Sequence, residues 1–121
     1  MQKKVTTVLI ILLSFLLFGC PRQPTSEELR SADHGPYPYE YEEIVKKKMV
    51  KYLVDPYSAQ YHYQGSPETR YFSKAFGGET IYGWGGIVLI NSKNRMGGYV
   101  GATPYNYLIR NGELVYFERS R

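Results

Sequence analysis

The chain has 121 residues, a formal net charge of +4 and one cysteine, Cys20. This length fits one small domain. A single cysteine excludes an intramolecular disulfide and a cysteine-based zinc site, and the charge is too small to indicate a nucleic-acid partner. All 13 tyrosines follow Pro36, which places the folded part in the C-terminal two thirds of the chain.

Residues 1–19 have the layout of a secretory signal peptide. Lys3 and Lys4 give a basic start, residues 5–18 are mostly apolar, and Gly19 comes directly before Cys20. A helix over residues 5–18 would reach about 21 Å, which is short of a hydrocarbon core of about 30 Å. A cleaved leader is therefore favoured over a membrane-spanning anchor.

Leu17, Gly19 and Cys20 resemble the lipobox of bacterial lipoproteins, with Phe18 where that pattern usually has a small residue. The resemblance implies cleavage before Cys20 and covalent attachment of a diacylglycerol group and an N-acyl chain, such as palmitate, to that residue. No other cofactor and no metal is expected. The aspartate that favours inner-membrane retention is absent after Cys20, so the expected location is the outer membrane, facing the periplasm.

Residues 20–38 are predicted to be the lipidated cysteine and a flexible tether, because the segment is polar and contains four prolines. A short helix capped by Thr25 or Ser26 is the alternative for part of this segment. Residues 39–121 are predicted to form a single domain.

The domain is predicted to begin with an amphipathic helix from Tyr39 to Val54, where apolar residues recur at spacings of three and four. Asp55-Pro56 ends the helix. Strands are predicted over 57–64, 70–76, 81–91, 99–109 and 114–118, and Asn111-Gly112 is a strong hairpin signal between the last two. The expected fold class is α+β, with one amphipathic helix packed on a four- to five-stranded antiparallel sheet.

Two segments resemble motifs of small uncharacterised bacterial envelope proteins. Residues 91–101 resemble the pattern N-x-K-N-x-x-G-G-Y-x-G, and residues 53–59 resemble L-x-D-P-x-S-A. No established activity comes with this resemblance, so the chemistry of the residues has to indicate the function.

The segment after residue 90 has two interpretations. One is a hairpin connection whose shape requires Asn and Gly, and this interpretation is favoured. The other is a binding loop for an anion, a glycan or a peptide end, with an aromatic platform. The candidate binding residues are Asn91, Lys93, Asn94, Gly97, Gly98, Tyr99, Trp84 and Tyr105.

A catalytic function is not expected, because the chain has no nucleophile elbow, no phosphate-binding loop and no histidine with an acidic partner at ligand spacing. The leading prediction is a membrane-anchored, non-catalytic protein-binding or structural module of the bacterial cell envelope, whose partner is another envelope protein. The alternatives are a lipoprotein that binds peptidoglycan or another glycan, and a mobile-element exclusion factor. The oligomeric state is left open.

Overall fold

The computed structural model describes residues 22–75 and 78–121, so the predicted leader and Cys20 lie outside the described residues. The elements are α1 (Ser26–Ser31), α2 (Tyr41–Met49), a 3-10 turn (Pro56–Ser58), β1 (Gln60–Tyr63), β2 (Glu68–Ser73), β3 (Thr80–Asn91), β4 (Thr103–Arg110) and β5 (Glu113–Arg119). The predicted α+β fold, a main helix on a five-stranded antiparallel sheet, is confirmed. None of the helices in these residues is long and apolar enough to cross a membrane.

β3 is the centre of the sheet because its twelve residues are long enough to pair with two short strands along one edge. β1 pairs with the C-terminal half of β3, and β2 pairs with its N-terminal half. β4 lies along the other edge of β3, and β5 pairs with β4. β4 and β5 meet at Asn111-Gly112, where both residues have positive φ, as the predicted hairpin turn requires.

The core lies between α2 and one face of the sheet. Val45 and Met49 project from α2 and are buried against alternate residues of the two central strands, Val88 and Ile90 on β3 and Tyr107 and Ile109 on β4. The spacing of four on the helix belongs to the pattern of threes and fours that predicted it, and the spacing of two on each strand directs these side chains to the same face of the sheet. A Cβ on Gly85 would collide with the Tyr107 carbonyl, so β3 requires glycine there.

The segment predicted to be a flexible tether contains α1. The Thr25 hydroxyl oxygen accepts a hydrogen bond from the Glu28 backbone N–H at 3.2 Å, and the Glu28 carboxylate accepts one from the Thr25 N–H at 2.8 Å. This reciprocal pair is a capping box, which satisfies two backbone donors at the start of the helix. The alternative of a short capped helix is therefore the arrangement that the structure has.

Residues 33–38, which we call the clamp segment, pack on the sheet instead of continuing the predicted tether. The Trp84 indole N–H donates to the Gly35 carbonyl at 3.0 Å, and the Arg110 guanidinium donates to the Asp33 carbonyl. The His34 side chain is 7% exposed and lies beside the Trp84 ring, with 6.0 Å between ring centroids. The segment was predicted to be a tether because it has few aliphatic residues. The contacts that hold it on the sheet are made by aromatic rings and backbone carbonyls instead.

β1 is shorter than predicted at its N-terminal end. The Asp55 carboxylate accepts a hydrogen bond from the Ser58 N–H at 3.3 Å and caps the 3-10 turn that begins at Pro56. The strand therefore starts at Gln60. Tyr57, which was predicted to begin the strand, lies outside it and is 101% exposed.

Candidate functional site

The connection from β3 to β4 is shaped by two asparagine side chains. Asn94 Oδ1 accepts hydrogen bonds from the backbone N–H of Met96 at 2.9 Å and of Gly98 at 3.2 Å. Asn91 Oδ1 accepts one from Gly101 N–H at 3.1 Å. These amide oxygens are engaged within the loop, which is the arrangement expected of a hairpin connection whose shape requires asparagine.

The glycines of this loop have different roles. Gly97 has φ of +78° and Gly101 has φ of +100°, a region that favours glycine. Gly98 does not have positive φ, and its N–H is instead held by Asn94. Gly97 and Gly98 were both candidate binding residues, and both shape the turn through their backbone.

Ser58 joins the two sequence motifs in space. Its hydroxyl donates to the Asp55 carbonyl at 2.8 Å and accepts from the Lys93 N–H at 2.9 Å, while its carbonyl accepts from the Tyr99 hydroxyl at 3.0 Å. We call these contacts the Ser58 junction. The motif at residues 53–59 and the motif at 91–101 therefore form one unit, in which the first holds the base of the loop formed by the second.

Lys93 and Tyr99 face each other across the base of the loop. They form an isolated antiparallel bridge, and the Lys93 ammonium lies 5.5 Å from the centroid of the Tyr99 ring. This distance is within the range of a cation–π contact. Lys93 and Tyr99 are thus the predicted site residues whose side chains the fold brings together at the surface.

Trp84 lies in a different part of the molecule. It is seven positions before Asn91 on the same strand, which corresponds to about 23 Å at 3.3 Å per residue. Its ring packs under the clamp segment, with 5.1 Å between the centroids of the Trp84 and Tyr37 rings. Trp84 therefore anchors the clamp segment and does not share a site with the loop.

Tyr105 belongs to a cleft that the sequence analysis missed. Its ring stacks on that of Phe117, with 4.9 Å between centroids and 15° between planes. The cleft has a volume of about 370 Å³ and runs between the C-terminal half of α2 and β5, and it is lined by Lys48, Met49, Tyr52, Tyr105, Leu114, Val115, Tyr116 and Phe117. Three segments that are distant in sequence form the cleft, so its only local signal was the apolar run Leu114–Phe117 of β5.

Seven of the nine large hydrophobic side chains that are exposed among the described residues lie on the two segments that meet at the Ser58 junction. Met96 is 93% exposed, Tyr57 is 101% exposed and Val100 is 65% exposed. The segments 50–57 and 96–100 together carry the set that we call the loop-end surface, which consists of Val50, Tyr52, Val54, Tyr57, Met96, Tyr99 and Val100. Lys51 and Arg95 adjoin members of this set in sequence, and Lys93 contacts Tyr99.

Comparison of the chain with models of protein families, with curated proteins and with solved structures gives no match. The chemistry of these surfaces is therefore inferred from their own side chains.

Proposed function

We propose that this protein is a lipid-anchored lipoprotein of the bacterial cell envelope whose domain binds another envelope protein and catalyses no reaction. The observation that carries the proposal is the loop-end surface, where apolar side chains project from a loop that internal hydrogen bonds hold in shape. Exposed apolar groups that cluster with polar neighbours are typical of protein–protein contact sites. A preformed loop also loses little conformational entropy when it binds.

The position of this surface suits a partner away from the membrane that holds the lipid. α1 lies against β2, and β2 pairs with the N-terminal half of β3. The loop-end surface follows the opposite end of β3. The chain from Cys20 to Ser26 reaches at most about 21 Å when extended. An acyl group on Cys20 therefore holds the α1 end near the membrane, and the loop-end surface projects away from it.

The glycan-binding alternative has less support. It requires Trp84, Tyr99 and the loop asparagines to act together, but the Trp84 ring lies under the clamp segment. The Asn91 and Asn94 amide oxygens are bonded to the loop backbone. Sedimentation of the protein with purified peptidoglycan separates the two functions, because protein binding predicts that the protein stays in the supernatant.

The anchor is tested by labelling cells with radioactive palmitate. Wild-type protein is expected to carry the label and to fractionate with membranes, whereas Cys20→Ser protein carries no label. Mass spectrometry of the mature N-terminus supplies the second measurement. An intact leader on the wild-type protein, or equal labelling of the Cys20→Ser protein, contradicts the anchor.

The binding surface is tested by purifying the lipidated protein from crosslinked native cells. A Met96→Asp/Val100→Asp variant is expected to lower partner recovery by about tenfold or more, because charges then replace apolar contact groups. Tyr39→Asp is the control, since Tyr39 is also highly exposed, at 87%, but lies two residues before α2 and outside the loop-end surface. Equal recovery with both variants, or no partner with any of the three proteins, contradicts the proposal.

A further inference from the structure

β5 is an edge strand whose outward backbone groups have no strand partner among the described residues. It pairs with β4 on one side, and the sheet ends there. Ser120 N–H donates to the Pro104 carbonyl at 2.9 Å. Hydrogen-bonded positions alternate along an antiparallel pair, so Phe117 and Arg119 direct their backbone N–H and C=O groups away from β4. These groups are available to pair with a further strand.

The cleft of about 370 Å³ lies directly beside this edge. One wall is β5, the other is the C-terminal half of α2, and the stacked rings of Tyr105 and Phe117 lie between them. A free strand edge next to an apolar cleft bounded by a helix is the arrangement in which an extended peptide binds by strand addition. Main-chain hydrogen bonds then supply affinity, and the cleft selects alternate side chains.

The charges around the cleft favour an acidic occupant. Lys48 lines it, and its ammonium lies 5.3 Å from the centroid of the Tyr52 ring. Arg119 follows Phe117 by two positions and so lies on the same face of the sheet. Glu118 lies on the opposite face, where its carboxylate accepts a hydrogen bond from Tyr116. The acidic residues of α2 are in its first turn, at the other end of the helix.

We propose that this cleft binds an extended peptide segment of alternating apolar and acidic residues from the partner protein, and that the segment adds to β5 as a further antiparallel or parallel strand. A second copy of this chain is a poorer occupant, because its β5 carries the uninterrupted apolar run Leu114–Phe117 and has no acidic residue alternating with these apolar ones. The inference rests on the proposed function, which is that the domain binds another protein. It adds that the bound segment is extended and that its apolar and acidic residues alternate.

The first part of the test uses full-length protein in lipid nanodiscs and a display library of random peptides. Selection is expected to enrich peptides in which apolar and acidic residues alternate. One enriched peptide, synthesised, then serves as the probe for affinity measurements. Lys48→Glu is expected to weaken its binding by about tenfold. Lys47→Glu is the matched control because Lys47 is the preceding residue of the same helix and does not line the cleft, and it is expected to change binding by less than about twofold.

The second part of the test measures hydrogen exchange on the same sample. Binding of the probe is expected to slow exchange of the Phe117 and Arg119 amides, and N-methylation of alternate residues of the probe is expected to abolish binding. The inference is overturned if no peptide is enriched, if bound peptide leaves these amides unprotected, or if they become protected with protein concentration alone. If these measurements fail while partner recovery still depends on Met96 and Val100, the proposed function stands and only the cleft assignment is lost.

Discussion

The side-chain amide of Asn94 is the clearest indication that the loop between β3 and β4 has a structural role. Its side-chain oxygen accepts two backbone hydrogen bonds within the loop. We expect Asn94→Ala to lower the free energy of unfolding by about 1 kcal/mol, since both bonds are lost at an exposed position. Asn94→Asp keeps an acceptor oxygen in place and is expected to change the free energy of unfolding by less than about 0.5 kcal/mol.

The measurement for both Asn94 variants is urea unfolding followed by the fluorescence of Trp84, the single tryptophan of the chain. If Asn94→Ala has the stability of the wild type, the loop bonds do not hold the loop, and the amide is available to a ligand instead.

The Ser58 junction determines how the loop is attached to the rest of the domain. Ser58→Ala removes the acceptor for the Lys93 N–H and the donor to the Asp55 carbonyl. We expect this substitution to lower the free energy of unfolding by about 1 to 3 kcal/mol, because a partly buried N–H loses its partner. Hydrogen exchange at the Lys93 amide is expected to become faster in the same variant.

Ser92→Ala is the matched control for the junction. Ser92 is a neighbour of Lys93, but its hydroxyl makes no hydrogen bond within residues 22–75 and 78–121. Its substitution is expected to change stability by less than about 0.5 kcal/mol. Equal effects of the two substitutions would mean that the hydroxyl of Ser58 does not hold the two motifs together.

Local patterns predicted the elements whose stability depends on local chemistry. The amphipathic period predicted α2, although the helix ends at Met49 and not at Val54. The apolar run predicted β3 to within one residue at its start, and Asn111-Gly112 predicted the last hairpin. The predicted start of β1 at Tyr57 was wrong. The Asp55 carboxylate accepts a hydrogen bond from the Ser58 N–H, so a 3-10 turn forms there and the strand begins only at Gln60. The clamp segment depends on bonds from Trp84 and Arg110, which lie far away in sequence.

The same contrast applies to the candidate sites. Lys93, Tyr99 and the two loop asparagines were predicted together because they are close in sequence. The cleft beside β5 was missed, because α2, β4 and β5 each contribute to it and their approach depends on sheet order. Trp84 was grouped with the loop residues because its ring could stack on a sugar, although a packed tryptophan was the favoured interpretation, and the length of β3 separates it from the loop.

Stability of the whole domain is expected to fall at alkaline pH. Burial raises the pKa of Tyr63 and of Tyr107 above the ordinary tyrosine value of about 10. Below that pH both hydroxyls are neutral in the folded and the unfolded chain. At higher pH the unfolded chain releases the protons while the folded chain retains them, so the free energy of unfolding decreases as pH rises above about 10.

The comparison that isolates these two groups is a Tyr63→Phe/Tyr107→Phe variant. Its free energy of unfolding, measured in urea between pH 8 and pH 11, is expected to decrease less steeply with pH than that of the wild type. The loss of the Tyr107 hydroxyl itself is expected to cost little, because that buried oxygen has no hydrogen-bond partner within the described residues. Parallel pH profiles for the two proteins would contradict this explanation.

At the scale of the whole molecule, the proposed anchor and the proposed binding surface lie at different ends of the domain. The chain enters at α1, next to β2, and the loop-end surface lies beyond the far end of β3. We propose that a partner protein covers that far end.

Site-specific photocrosslinking in native cells tests the claim most directly. A photoreactive amino acid is placed at Met96, or at Tyr39 as the exposed control. We predict that the probe at position 96 forms an adduct with one envelope protein and that the probe at position 39 does not. Absence of an adduct at position 96, or equal adducts at both positions, would contradict the account.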